Sequence, residues 1–180
     1  MVSRSRCSAV ADDHFSLFDL PARYDLDADA LTAAWRDVAA KVHPDRFATA
    51  GAAERRVAMQ WSSRANEAYR TLRDPLARAR YMCEQAGIDL QTETNTAMST
   101  AFLMQQMTWR EMLDDARESR DPAAYDELNN ELETARTALV RSLTDLIDNQ
   151  RDFARAAEQV REWMFVEKMA QSLAHDRSPA

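Results

Sequence analysis

The chain has 180 residues, a formal net charge of −7, 46% hydrophobic side chains and only two glycines, Gly51 and Gly87. Glycine this scarce argues against a sheet protein rich in tight turns and against a phosphate-cradling loop, and points to long helices joined by short polar connections. Residues 1–90 balance 13 basic against 13 acidic side chains, whereas residues 91–180 carry 10 against 17. Two units with different surfaces follow, and no basic block is present that would make nucleic acid a partner.

The first dozen residues hold arginines but no apolar core of a secretory signal, so 1–12 reads as a disordered lead-in. Phe15, Leu17, Phe18 and Leu20 predict a short helix closed by Pro21. Asp27 stands as an N-cap, and Leu31, Ala34, Trp35, Val38 and Val42 then form one helical stripe. That helix must stop near His43, because Pro44 disfavours α geometry in the residue before it. After a polar loop through Gly51, a third helix over 52–72 presents Val57, Trp61, Ala65, Ala68 and Leu72. The two stripes predict an antiparallel pair of matched length. Asp74-Pro75 opens a further short helix to Gln85, with Gly87 as its stop.

Residues 88–97 have no period and read as a linker. Three helices are predicted beyond it, over 100–117, from Asp121-Pro122 onward, and over 153–173. The middle one carries the stripe Tyr125, Leu128, Leu132, Ala135, Leu139, Leu143 and Leu146, and a polar break at Asp148–Asp152 separates it from the last. The tail at 176–180 is expected to fray. The fold class is therefore all-α.

No apolar run approaches membrane-span length. Cys7 and Cys83 are far apart, which suits a reducing, cytoplasmic setting without disulfides. With His14, His43 and His175 they show no metal-ligand spacing, so no metal or other cofactor is expected. No nucleophile–base motif or nucleotide fingerprint points to an enzyme. Asp114, Asp115 and Glu118 read as a solvated helix surface.

His43-Pro44-Asp45 lies between two amphipathic helices. Downstream runs Asn66-Glu67-Ala68-Tyr69-Arg70-Thr71-Leu72-Arg73-Asp74-Pro75, followed by Arg78 and Tyr81. This arrangement resembles a J-domain, here 13–87. The resemblance implies that Asp45, projected from a turn stiffened by Pro44, meets an arginine of a chaperone ATPase. It lends docking roles to His43, Arg46, Arg36 and Lys41 as well. Arg46 stands where a lysine is more usual, and Asp25, Asp27, Asp29 and Asp37 dilute the positive face.

The helix around 101–111 is apolar on two sides. With Phe102 at zero, Trp109 and Leu113 fall within about 20° of it, while Leu103, Met104, Met107 and Glu111 fall between about 100° and 200°. Periodicity leaves two readings open: the helix lies centrally in its domain, or it shows one side to a partner.

His14-Phe15-Ser16-Leu17-Phe18 with Leu20-Pro21-Ala22-Arg23-Tyr24, then His43 to Phe47, and Thr100-Ala101-Phe102-Leu103-Met104 with Gln106 and Arg110-Glu111 resemble the HscB family, co-chaperones of iron–sulfur cluster assembly. The resemblance runs from about Asp13 to Leu173. It implies a C-terminal three-helix domain, 98–175, that binds the IscU-type scaffold through Leu103, Met104, Met107, Thr108, Glu111 and Phe165. Thr108 replaces a glutamate common in the family. The J-domain would then present that client to an HscA-type chaperone and stimulate its ATPase, with the adaptor a monomer or weak dimer. A J-domain adaptor for a different client is the competing reading.

Overall fold

The computed structural model describes residues 13–47, 51–90 and 98–177, which are all helix and connection with no strand among them. The expected lead-in at 1–12, most of the expected linker and the last three residues of the tail lie outside that range. The chain divides into two compact units, Met1–Arg78 and Ala79–Ala180.

In the first unit, α1 spans His14–Leu17, with the Asp13 carboxylate accepting from the Ser16 N–H at 3.2 Å. It ends before the proline: Phe18 is its cap and Asp19 takes a left-handed φ of 52°, so the backbone has turned before Pro21 is reached. Asp27 caps α2, Ala28–Val42, by accepting from the N–H groups of Asp29 and Ala30. α3 spans Ala52–Arg73 and α4 Pro75–Gln85; the division between the units falls within α4.

α2 and α3 run antiparallel, as the cross-pairs show. Trp35 stacks on Tyr69 with ring centroids 4.7 Å apart, Trp35 Nε1–H donates to Asn66 Oδ1 at 3.0 Å, and Thr32 meets the Tyr69 hydroxyl at 3.3 Å. The helices are not matched in length: α3 has 22 residues and α2 has 15. The predicted stripe is inward only in part. Ala58, Ala65, Ala68 and Leu72 are buried, but Val57 is 51% and Trp61 41% exposed. The guanidinium of Arg64 covers Trp61 instead, 5.5 Å from the ring centre.

Within the Tyr69–Arg78 stretch several positions have a structural task. Leu72 is fully buried, Asp74 caps α4 through the Ala77 N–H at 2.8 Å, and Arg78 donates to the Leu72 carbonyl at 2.7 Å. The Arg78 guanidinium also lies 5.2 Å from the centre of the buried Tyr24 ring. A motif that reads as a family signature is thus a set of locks on one corner of the unit. Gly87 closes the stretch after α4 with a φ of 84°, its neighbour Ile88 donating to the Cys83 carbonyl at 3.0 Å.

The second unit packs α5 (Thr100–Ser119), α6 (Pro122–Thr144) and α7 (Phe153–Arg177) together. Ser99 and Asp121 cap α5 and α6 as donors' partners, accepting from Phe102 and Ala123. Leu128, Leu132, Leu139, Leu143 and Leu146 bury along α6 and its extension against Val160, Trp163, Val166 and Leu173 of α7 and Leu113 of α5. The polar break is shorter than expected. The chain continues from α6 through a π-helical turn over Asp145–Gln150, which keeps Leu146 and Ile147 buried, and reverses only at Arg151, φ 57°.

α7 also runs further than expected, to Arg177. Arg117 Nε lies 2.7 Å from Asp176 and Arg177 Nη1 lies 2.8 Å from Asp126, so the last turn is tied to both other helices. In the middle of the bundle, Arg136 makes a two-pronged pair with Glu167 at 2.7 and 2.8 Å, and the Trp163 indole N–H donates to the same carboxylate. The geometry is the bidentate one that makes such pairs directional.

Cys83 is fully buried, its S–H 3.9 Å from the Phe153 carbonyl. Burial first, and Glu84 second, push its thiol up from 9.0 to about 11. In a Cys7→Ser background the native chain is expected to resist iodoacetamide at pH 8 and to react fully once unfolded. The folded state holds this proton more tightly than the unfolded chain. The associated stability is therefore complete below pH 9 and lost as pH rises through 11, and the urea midpoint should fall across that window.

Candidate functional sites

The first site is the turn after α2. His43 sits in extended geometry (φ −59°, ψ 129°), as a residue before proline should, and ends the helix. Pro44–Phe47 form a single 3-10 turn rather than an irregular loop, and the Arg46 N–H donates to the His43 carbonyl at 3.0 Å. Arg46 has a role the sequence did not reveal: its guanidinium donates to the Ala40 carbonyl at 3.2 Å, satisfying one of the open acceptors at the end of α2. His43, Lys41, Arg36 and Arg46 are all exposed. Arg36 and Lys41 lie about 140° apart around the axis of α2, with Asp37 between them, so the helix does not gather its two basic groups on one face.

The second site is the outer face of α5. Trp109 and Leu113 point into the bundle at 3% and 4% exposure, while Leu103, Met104 and Met107 stand 47%, 66% and 61% exposed. The alternative left open by periodicity is decided for this unit: among the described residues, the second apolar side of α5 faces outward from the bundle. Glu111 and Thr108 are exposed on the same helix. The Thr108 hydroxyl donates back to the Met104 carbonyl at 3.3 Å, a bond along the helix that the family's glutamate, having no proton to give when ionised, would not make.

Phe165 is half-buried, and the structure assigns it to both worlds. It stacks on Trp109 at 6.5 Å, meets Phe102 edge-on at 5.9 Å, and carries the Arg110 guanidinium 5.6 Å from its ring centre. Arg110 is exposed and lies on α5 between this aromatic group and Leu103. Asp114, Asp115 and Glu118 are exposed at about 120°, 220° and 160° on the same wheel, continuing the apolar face toward the C-terminus of α5 as an acidic one. Their exposure agrees with a solvated helix surface. A separate open cavity of about 400 Å³ lies on the other side of α5, lined by Gln105, Trp109, Glu131, Ala138 and Glu162. Burial, and then Glu158, push the Glu162 carboxyl above its ordinary value.

Comparison with known proteins settles the kinship. Residues 98–174 match the domain described as the HSCB C-terminal oligomerisation domain. The co-chaperone protein HscB homolog of Bordetella petrii is 68% identical over 167 residues, 93% of this chain and 97% of that protein. The chain belongs to the HscB co-chaperone family. The homolog from Burkholderia multivorans is 54% identical over 162 residues, 90% of this chain and 92% of its own. Chaperone HscB from Vibrio cholerae superposes with a TM-score of 0.83 at 33% identity, covering 91% of this chain and 96% of that one. The human co-chaperone protein HscB gives 0.86 at 25% identity, covering 94% and 84%. The HscB fold expected from the sequence, a J-domain followed by a C-terminal helical domain, is the one observed, and the co-chaperone role in iron–sulfur cluster assembly goes with the family. Among the described residues, no helix is long and apolar enough to cross a membrane.

Proposed function

We propose that this HscB-family chain is a two-ended adaptor of the cytoplasm. Its J-domain, 13–87, docks on an HscA-type chaperone through His43, Pro44 and Asp45, with Arg46, Arg36 and Lys41 around them, and accelerates that partner's ATP hydrolysis. Its C-terminal domain, 98–175, holds an IscU-type scaffold through Leu103, Met104, Met107, Thr108, Glu111 and Phe165, the acidic stretch Asp114–Glu118 extending the contact. It activates an ATPase without being one, and works as a monomer or weak dimer.

The observation that carries the scaffold end is the two-sidedness of α5. A helix already anchored in its bundle by the buried Trp109 and Leu113 has no structural need for three exposed apolar side chains on its outer side. Methionines there suit a surface that must adapt to another protein. The Thr108 substitution leaves the ionic part of the contact to Glu111 and the carboxylates beyond it.

Leu103→Ala combined with Met104→Ala is the test. Each truncation should cost roughly 1–2 kcal/mol of binding, so that together they weaken scaffold affinity by about two orders of magnitude. Circular dichroism should not change, because neither side chain belongs to the core stripe. Calorimetry that finds scaffold binding intact would remove the α5 face from the contact and with it the main support for the scaffold assignment.

A further inference from the structure

The methionines of this chain differ sharply in exposure. Met104 and Met107 are 66% and 61% exposed on the outer face of α5, and Met59 is 62% exposed on α3, whereas Met82 and Met169 are only 6% exposed. Met104 and Met107 are three residues apart, neighbours on one helix face. A thioether reacts with peroxide according to its access, and the product is polar where the reactant was apolar.

We propose that Met104 and Met107 are a reversible modification site for peroxide, and that their oxidation to sulfoxides releases the scaffold partner. The inference rests on the scaffold-binding reading of α5. In each step the sulfur lone pair forms a bond to one peroxide oxygen, the O–O bond breaks, and the other oxygen leaves as water. Sulfur is oxidised by two electrons and the peroxide is reduced by two. A dithiol reductase reverses the change, taking the oxygen off as water and ending as a disulfide. The sulfoxide oxygen is a strong acceptor, and an interface shaped for a thioether strips its water without replacing the hydrogen bonds. Trp109 and Leu113, which hold α5 in the bundle, are untouched, so the change acts on the surface and not on the fold.

The experiment treats the full chain with graded hydrogen peroxide. Peptide mass spectrometry locates the added oxygen, and calorimetry against purified IscU-type scaffold gives the ratio of treated to untreated Kd for each variant. Met104 and Met107 should gain oxygen before Met82 and Met169, and the ratio should be roughly tenfold or more. Methionine sulfoxide reductases of both stereochemical classes should restore the starting Kd. In Met104→Leu with Met107→Leu the ratio should fall to about one, while Met59→Leu should respond as the parent chain does. A double leucine variant that loses affinity to the same degree, or a parent chain in which Met82 and Met169 are oxidised first, would overturn the inference. A parent chain that binds scaffold but ignores peroxide defeats this inference alone; one that never binds scaffold defeats the functional reading beneath it.

Discussion

Asp45→Asn is expected to abolish the acceleration of the partner chaperone's ATP hydrolysis while leaving the chain folded and the scaffold bound. The substitution keeps the shape of the side chain and removes its charge. A neutral amide still forms a hydrogen bond to an arginine, but it loses the charge-assisted, two-oxygen acceptance that makes such a pair strong and directional. Loss of one partner from a desolvated charge pair costs on the order of 2–5 kcal/mol. At concentrations where the parent chain saturates the chaperone, the variant should therefore leave hydrolysis at its basal rate. The backbone supports this sharp dependence: Pro44 fixes its own φ, and a 3-10 turn is closed by the Arg46 N–H donating to the His43 carbonyl. Single-turnover hydrolysis measures the effect, and equal stimulation by both chains would remove Asp45 from the mechanism.

Leu132→Ala is expected to destabilise the C-terminal unit by about 2–5 kcal/mol, the range for emptying a well-packed leucine site. Leu132 is fully buried midway along α6, the helix that packs against both α5 and α7. Since domains of this kind are stable by only about 5–15 kcal/mol, the variant should lose a large part of its reserve. In a Trp35→Phe, Trp61→Phe background, urea unfolding followed by the fluorescence of the buried Trp109 and Trp163 reports on this unit, and the midpoint should move strongly downward. Scaffold affinity should persist while the unit stays folded and vanish with it, because Leu103 and Met107 are positioned only by the packing of α5. An unchanged midpoint would show that the α6 stripe is not the core it is taken to be.

Much of this architecture was legible in the chain because its punctuation is local. Asp27, Asp74, Ser99 and Asp121 cap helices within three residues of themselves, Pro44 sets the geometry of His43, and Gly87 supplies the left-handed stop. What escaped depends on partners distant in sequence. Periodicity grouped Val57 and Trp61 with Ala65, Ala68 and Leu72 on α3 but could not say which of them other helices cover. The last turn of α7 looked like a tail because its supports, Asp126 and Arg117, come from other helices. The break after α6 looked polar because Asp148, Asn149, Gln150 and Asp152 are, yet Ile147 beside them is fully buried and the helix persists to meet it.

The candidate sites divide in the same way. The His43–Asp45 turn is contiguous and announces itself. The α5 face was visible as a second apolar side, but only the packed bundle shows that this side is the open one. Phe165 could be read as core or as surface, and its ring contacts with Trp109, Phe102 and Arg110 make it the join between them. Arg46 was given a docking role, and the structure adds a capping one at the Ala40 carbonyl, so replacing it perturbs the end of α2 as well as any partner contact.

The adaptor claim is tested most directly by single-turnover ATP hydrolysis on the HscA-type chaperone, with and without scaffold, comparing the parent chain with the Leu103→Ala, Met104→Ala variant. Both chains should stimulate alone to the same degree, since the J-domain is unaltered. Adding scaffold should raise the rate further with the parent chain and add little with the variant at the same concentration. An equal gain from scaffold with both chains would mean that the α5 face does not join the two partners, and the account would be contradicted at its centre.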